Sequence, residues 1–585
     1  MNAVVLIGLL VTVLTLIPVW RQFAQHPRGL LVLFFAEMWE RFSYYGMRAL
    51  LIFYLTQHFL FDDASAQALY GSYTSLVYLA PLIGGLVADR FLGTRKAIAF
   101  GALLLVAGHC LMAYEGTPAK QALQVGDQRY EFVIEGRGSD RSSQMKINDK
   151  LYNFGADKDG AFLIKGLPEE VPLPSRLEKG TYELVVIERD QWATNSLYLA
   201  LSLIILGVAY LKPNISAIVG QLYEKNDPRR DPGFTLYYYG INLGAFWASI
   251  LCGLLGQTVG WWAGFGLAGL GMILGWAVFV WGKPLLDGHG EPPDPQALAQ
   301  PYFGSLSKEM CLYLASLLGL IVLWFLVQRH EIVGGVLMVA SVLALGYLAY
   351  LMRTQLSREE SHRLILALIL ISAAVIFWTL FEQAGSSLNQ FANRNTELSL
   401  FGVSITAAQT QSFNAGFILI LAPIFSALWA FLGTRGQDLS APLKFSCALI
   451  QVGLGFLVLV YGAQFAGPDF KVPLIFLMLA YLLHTTGELF ISPVGLSQMT
   501  KLATATLIST LMGVWFLSNA WAQWLGALIA QMTATETVAG QVLNAERSLS
   551  TYVSVFYEIG LWAIGLGLLL MLASGFLKRL AHGVK

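Results

Sequence analysis

Charged side chains are scarce in this chain of 585 residues: Asp, Glu, Lys and Arg make up 13% of it and hydrophobic residues 56%. Soluble domains carry about 25% charged residues, so an ordinary soluble protein is excluded and a polytopic membrane protein is indicated. Lys plus Arg equals Asp plus Glu at 37 each, which leaves no basic excess for nucleic acid. The four cysteines, Cys110, Cys252, Cys311 and Cys447, are scattered through apolar segments, and without paired spacing they build no disulfide framework, zinc site or haem motif. HExxH, GxSxG and GxxxxGKS/T motifs are also absent, so neither hydrolysis nor an ATP motor is indicated, and uphill work falls to an ion gradient rather than a cofactor.

The charge that is present is concentrated. Residues 34 to 54, FFAEMWERFSYYGMRALLIFY, form a membrane-length apolar stretch carrying Glu37, Glu40, Arg41 and Arg48, with Tyr44 and Tyr45 between them. At about 3.6 residues per turn these six positions share one helix face. One charge at a bilayer centre costs roughly 2.5 to 3.5 kcal/mol, so the stripe must face other helices or a watery cavity. It is either an ion pair that only locks helices together or a working site. Two carboxylates one turn apart beside a guanidinium have a use, because small rearrangements of charge change how readily they bind a proton.

In chain order, residues 3 to 19 are an apolar run followed by Arg21 and Arg28. No basic residue precedes the run, so it reads as an extra helix with its N-terminus outside rather than a removed signal. Helices follow at about 28 to 57, 67 to 88 and 97 to 114, with FDD at 61 to 63 as an exterior turn and the basic turn ADRFLGTRK as cytoplasmic. Residues 115 to 194 break the pattern: QRYEFVIEG, QMKINDKLYNF, AFLIKG and TYELVVIERD alternate as short strands, a small exterior β insertion without Cys or His. It reads as a structural insert or a surface for an exterior partner, with a modest core that is expected to lean on the membrane body.

Helices resume at about 195 to 217, 234 to 255 and 258 to 282. A Pro-rich linker precedes two further helices, 308 to 328 and 331 to 352. Six more follow at about 364 to 384, 411 to 432, 443 to 464, 473 to 494, 505 to 530 and 556 to 578. The expected domains are an extra helix (1–26), helices one to three of the N-terminal bundle (27–114), the insertion (115–194), helices four to six (195–283), a linking pair (284–363) and the C-terminal six-helix bundle (364–585). Two halves of six are the layout of secondary transporters, whose site lies where the halves meet.

Intramembrane polar residues elsewhere are few. Lys212 precedes Pro213, Glu382 follows Trp378 in FWTLFEQAG, Glu488 lies in TTGELFISPVGLS, and Asn242 and Asn414 sit in INLGAF and SFNAGF. Each asparagine alone serves equally as a helix–helix hydrogen bond, whereas Lys212 and the two glutamates favour a site over a structural ion pair because charges here are costly and rare. As a set they place two cations, Arg48 and Lys212, in the first half and two anions, Glu382 and Glu488, in the second. A zwitterion such as a short peptide would bridge that dipole, with Tyr44, Tyr45, Tyr78, Trp378 and Trp515 as candidate pocket walls. His484, one turn before Glu488, reads as a packed neutral histidine.

Glu37 to Gly46 matches ExxERFxYYG, and GGLVADRFLG, the Lys-Pro, INxG, FWxxFEQ and GExxxSPxGLS motifs recur in order. From about residue 27 to 580, apart from the insertion, the chain resembles the proton-dependent oligopeptide transporter family of the major facilitator superfamily. The resemblance implies an all-α fold of two six-helix bundles. It implies import of di- and tripeptides with protons by alternating access, in a multi-pass plasma membrane protein. The linking pair resembles that of bacterial members, hence a bacterial inner membrane. By the family pattern, Glu37, Glu40, Arg41, Lys212 and Glu382 couple to protons. Arg48 and Lys212 hold the peptide carboxylate, Glu488 its amino group, and Asn242, Asn414 and the tyrosines its backbone. Arg48–Glu382 would be an exterior gate pair and Lys212–Glu488 an interior one. Two departures stand out: Gly71 occupies the place of a proton-linked histidine in animal relatives, and Tyr237 replaces a usual Phe. The remaining alternatives are transport of another small zwitterion or anion, and a peptide sensor signalling through the insertion.

Overall fold

The computed structural model describes residues 3–157, 159–224, 227–503 and 507–583; the side chains of 139, 493, 494, 496, 500 and 509, Pro493 of the tenth-helix motif among them, lie outside the described set. Fifteen helices of at least seventeen residues order the described chain: α1 Ala3–Phe23, α2 Gly29–Phe53, α3 Asp63–Leu79, α4 Gly93–Met112, α5 Gln191–Gln221, α6 Arg230–Thr258, α7 Trp261–Trp281, α8 Lys308–Val327, α9 His330–Thr354, α10 Arg358–Phe381, α11 Ser412–Thr434, α12 Ala441–Gly462, α13 Leu474–Leu502, α14 Ile508–Met532 and α15 Ala545–Leu580. Among the described residues, twelve helical spans are long and apolar enough to cross a membrane. The charged helix α2 is not among them, yet Glu37, Glu40 and Arg48 are buried at its centre.

Polar residues set the helix starts by accepting otherwise unmet N–H groups. Asp62 Oδ1 accepts from Ser65 N at 2.9 Å, Asp190 Oδ1 from Ala193 N at 3.0 Å and Asn544 Oδ1 from Arg547 N at 2.9 Å. Ser357 and Glu360 form a capping box at the start of α10. These caps explain why α10 and α15 begin before their apolar runs, at 358 and 545 rather than about 364 and 556. The second core helix is likewise not the single span expected. It stops at Leu79, restarts at Pro81, whose ring cannot continue the hydrogen-bond ladder, and passes through a π turn at Ala88–Leu92 into α4. The extra helix α1 lies on α6, where Trp247 Nε1 donates to Thr12 Oγ1 at 2.9 Å and Thr15 bonds Tyr239 at 2.8 Å. Its other faces expose Leu10, Leu14 and Trp20, and α8 and α9 also present apolar faces outward.

The insertion contains strands β1 Lys120–Val125, β2 Gln128–Glu135, β3 Ser142–Ile147, β4 Lys150–Tyr152, β5 Phe154–Ala156, β6 Phe162–Ile164, β7 Arg176–Leu177 and β8 Glu183–Glu188. An antiparallel sheet runs β4-β3-β2-β1-β8 and a smaller one β5-β6-β7. Their inward residues, Leu123, Phe132, Met145, Ile147 and Phe162, form a core that also takes in Val538, Ala539 and Leu543. Those three belong to a hairpin, β9 Thr537–Val538 and β10 Gln541–Val542, between α14 and α15. The sheet thus marks one end of the molecule, and the basic turns mark the other.

Candidate functional site between the two halves

A cavity of about 180 Å³ lies between the halves, walled by Tyr45 and Arg48 of α2, Tyr78 of α3, Tyr238 and Asn242 of α6, Trp378 and Glu382 of α10 and the turn after it, Asn414 of α11, and Tyr481, His484 and Glu488 of α13. Proximity along the chain explains little of this, since Arg48 and Glu382 are 334 positions apart. Each wall is a helix face whose polar residues have been turned from lipid.

Arg48 Nη2 donates to Glu382 Oε2, and its Nε donates to Tyr70 Oη at 2.6 Å. The guanidinium also lies 5.9 Å from the Tyr45 ring centre and 6.0 Å from that of Tyr70. Gly385 makes this possible: a Cβ there would stand 1.9 Å from Tyr70 Oη and 2.8 Å from Arg48 Nε. Glu488, 8% exposed, accepts from Asn414 Nδ2 at 3.0 Å, and Asn414 also reaches Thr485 Oγ1 at 3.0 Å. Asn242 Nδ2 donates to the Tyr238 carbonyl at 3.0 Å.

Deeper along α2, Arg41 Nη2 lies 2.7 Å from Glu37 Oε1 and Nε lies 3.2 Å from Glu40 Oε2. Apart from those ion pairs, both Glu40 oxygens and Glu37 Oε2 are buried without a hydrogen bond among the described residues. Lys212 Nζ rests on the face of Tyr78, 3.7 Å from the ring centre. Among the described residues it has no carboxylate partner within ion-pair distance.

The structure therefore brings together Arg48, Tyr45, Tyr78, Asn242, Trp378, Glu382, Asn414 and Glu488, and places the other named residues around them. Lys212 does not line the cavity but stands one ring behind it, held by the Tyr78 π face. The Lys212–Glu488 pair is not formed in this conformation; each group is engaged on its own side. Tyr44 is buried behind Tyr45, edge-on at 5.3 Å. Trp515 packs into the notch at Gly495, where a Cβ would come within 2.5 Å of its ring. His484 is packed as expected, Nε2 donating to the Val452 carbonyl at 3.1 Å, but its ring also walls the cavity.

Sequence reasoning missed Tyr238, Tyr481 and a second buried ion pair. Asp63, read as part of an exterior turn, is 2% exposed and takes two bonds of 2.6 Å from Arg394, with Thr535 N at 3.0 Å. Beside it Gln67 Nε2 donates to Gln390 Oε1 at 2.7 Å, and Asn389 Nδ2 to the Ala49 carbonyl at 3.0 Å. Asp63 directly follows the cap Asp62, a local pattern that accounts for it as a helix start, and its partner lies 331 positions away.

With this geometry in place, comparison with known proteins decides the family. The model of the POT family matches residues 95–546. The chain belongs to the POT family. It is 32% identical over 574 residues to the uncharacterized transporter YclF of Bacillus subtilis, covering 96% of each. It is 29% identical over 565 residues to dipeptide and tripeptide permease A of Cronobacter turicensis, covering 95% of this chain and 94% of that one. Among solved structures, a mutant POT peptide transporter in complex with alafosfalin superposes with a TM-score of 0.71 at 31% identity, covering 95% and 96% of the two chains. A POT family transporter in complex with 5-aminolevulinic acid gives 0.70 at 26%, covering 94% and 97%. This POT family chain is a multi-pass membrane protein of the major facilitator fold, and its family is one of transporters.

Proposed function

We propose that this protein is a proton-coupled symporter that imports di- and tripeptides across a bacterial inner membrane by alternating access, driven by the proton gradient without a cofactor. The observation that carries the reading is the cavity itself, which sets a guanidinium, Arg48, on one half opposite two carboxylates, Glu382 and Glu488, on the other. A free peptide carries one carboxylate and one ammonium. The Arg48 side matches the first and the Glu488 side the second, while Asn242, Asn414 and Tyr45 suit the amide groups between.

Coupling is assigned to Glu37, Glu40 and Arg41 with Lys212 nearby, and to Glu382. Glu40 is the strongest candidate because, among the described residues, its buried oxygens make no hydrogen bond and are held only by the 3.2 Å ion pair with Arg41, so a proton there acts directly on that pair. A proton on Glu382 would remove its attraction to Arg48, on the order of a few kcal/mol at an effective dielectric near 20. With the Arg48–Glu382 pair closed and Lys212–Glu488 apart, the conformation fits one that is shut outside and open inside.

Uptake of labelled dialanine into proteoliposomes, with and without an inward proton gradient and an uncoupler, tests the reading. Accumulation that collapses with the uncoupler supports it, and uptake indifferent to protons removes the coupling scheme. A second reading, import of a smaller zwitterion, is favoured by the neighbouring structure that holds 5-aminolevulinic acid. Competition of that compound against dialanine separates the two.

A further inference from the structure

The β insertion is rooted in one bundle and docked on the other. Its roots, between α4 and α5, are tied to the segment after α2. Ala119 N donates to the His58 carbonyl at 2.8 Å, and Arg189 donates to the Phe59 and Leu60 carbonyls at 2.9 and 3.2 Å. Its far side meets the β9–β10 hairpin of the C-terminal half. Gln121 Oε1 accepts from Ala539 N at 2.6 Å, Ser143 Oγ bonds Gln541 Oε1 at 2.8 Å, and Gln541 donates back to the Arg141 carbonyl. Val538 and Ala539, both 0% exposed, complete the hydrophobic core of the insertion. The two sides share one module, so their separation would tear that core.

Arg141 joins the halves directly. Its Nη2 donates at 2.9 Å to the Gln57 carbonyl, after α2, and at 2.8 Å to the Ala539 carbonyl, in the hairpin. Among the described residues no carboxylate pairs with it, so this cation serves the junction alone. Gly540, at φ +75°, lets the hairpin tip rest on the segment after α2: a Cβ there would stand 2.9 Å from the Thr56 carbonyl oxygen. Beneath lies a cavity of about 1180 Å³ whose walls come from the insertion and from both halves, including Gln57, Arg137, Gln257, Arg394 and Gln541. The parting line of the two bundles therefore runs under the insertion.

We propose that the β insertion is a clasp across that line, that it biases the transporter toward the state closed at the sheet end, and that it must undock from the 537–542 hairpin for that end to open. The proposal rests on the alternating-access reading given above. Two readouts test it separately from that reading, both with the four native cysteines replaced.

In the first, Ser143→Cys and Gln541→Cys are oxidised to a disulfide and dialanine uptake is measured before and after reduction. Uptake present when reduced, absent when oxidised and restored by reductant supports a clasp that opens in each cycle. Uptake that persists in the fully oxidised protein overturns it, and so does failure of the disulfide to form. In the second, which needs no substrate, spin labels on Val259→Cys and Phe401→Cys, one on each half near the sheet end, report their separation. Arg141→Ala with Ser143→Ala should enlarge the long-distance population by about threefold or more, as expected for a shifted two-state balance. An unchanged distribution overturns the proposal. If the reduced protein carries no peptide at all, the transport reading fails while the distance measurement still decides the clasp.

Discussion

The two ends of the molecule are held by different chemistry. At the sheet end, polar groups pair across the halves: Arg48 with Glu382, Asp63 with Arg394, Gln67 with Gln390, and Asn389 with the Ala49 carbonyl. Toward the opposite end the comparable groups face away from each other, Lys212 on the Tyr78 ring and Glu488 on Asn414. Helix α2 joins the two regimes. Glu40 and Arg48 are eight positions apart, about 12 Å along the axis at a rise of 1.5 Å per residue, so one rigid rod carries the proton candidates at one level and the closing pair at the other. A charge change at Glu40 then acts on the element that the closed end grips.

The sharpest way to break the contrast is Arg48→Ala. Glu382 would keep its burial and lose its cation, a loss of about 3 to 5 kcal/mol for a buried pair. Peptide uptake should vanish, and thermal unfolding should shift downward together with it. Unaltered stability would mean that the pair adds nothing to the closed end. Glu40→Gln should act differently: accumulation above the outside concentration is lost, while exchange of labelled for unlabelled dialanine persists. Full gradient-driven accumulation in that variant would move the coupling site elsewhere.

Much of this was legible from the chain alone, and the gaps have physical reasons. The α2 stripe announced itself because charges in an apolar helix are costly, and Glu37, Glu40 and Arg41 do lie together. The β insertion showed in its alternation. The Arg48–Glu382 pair across the halves was read from the family motifs and is formed; what stayed hidden was the further pairing beside it. Asp63 has the local pattern of a capped helix start, so its bidentate bond to Arg394 leaves no trace within one window of sequence. Lys212 was assigned to the pocket by its charge and its Lys-Pro motif, and neither shows that the Tyr78 π face competes for it. Gly385 carries no local signal, and only the approach of Tyr70 and Arg48 shows why no side chain fits there.

That close approach gives a second probe of the sheet end. Gly385→Ala would press a methyl group onto Tyr70 Oη, and overpacking of this kind costs about 1 to 3 kcal/mol. The expected result is a lower unfolding temperature and a weaker closed state, read as a broader distance distribution across the sheet end. At the other regime, Glu488→Gln removes the anion opposite Arg48. A hydrogen bond to a charged group contributes about 1.5 to 3 kcal/mol, so KM for dialanine should rise roughly 10- to 100-fold. An N-acetylated peptide, lacking the ammonium, should show little further loss; an equal loss for both would deny Glu488 the amino-terminal role.

Asn414→Ala is the mildest test and the one that separates orientation from charge. Asn414 Nδ2 bonds both Thr485 Oγ1 and Glu488 Oε2 at 3.0 Å, so it fixes where the carboxylate points without adding charge of its own. Its loss leaves Glu488 anionic but free to turn, and a net hydrogen bond of about 0.5 to 1.5 kcal/mol predicts a rise in KM of only about two- to tenfold. Because the two residues act through one contact, the double variant Asn414→Ala, Glu488→Gln should be scarcely worse than Glu488→Gln alone. Additive losses would instead place Asn414 directly on the peptide backbone, and the Glu488 side of the cavity would then read as two separate contacts rather than one oriented carboxylate.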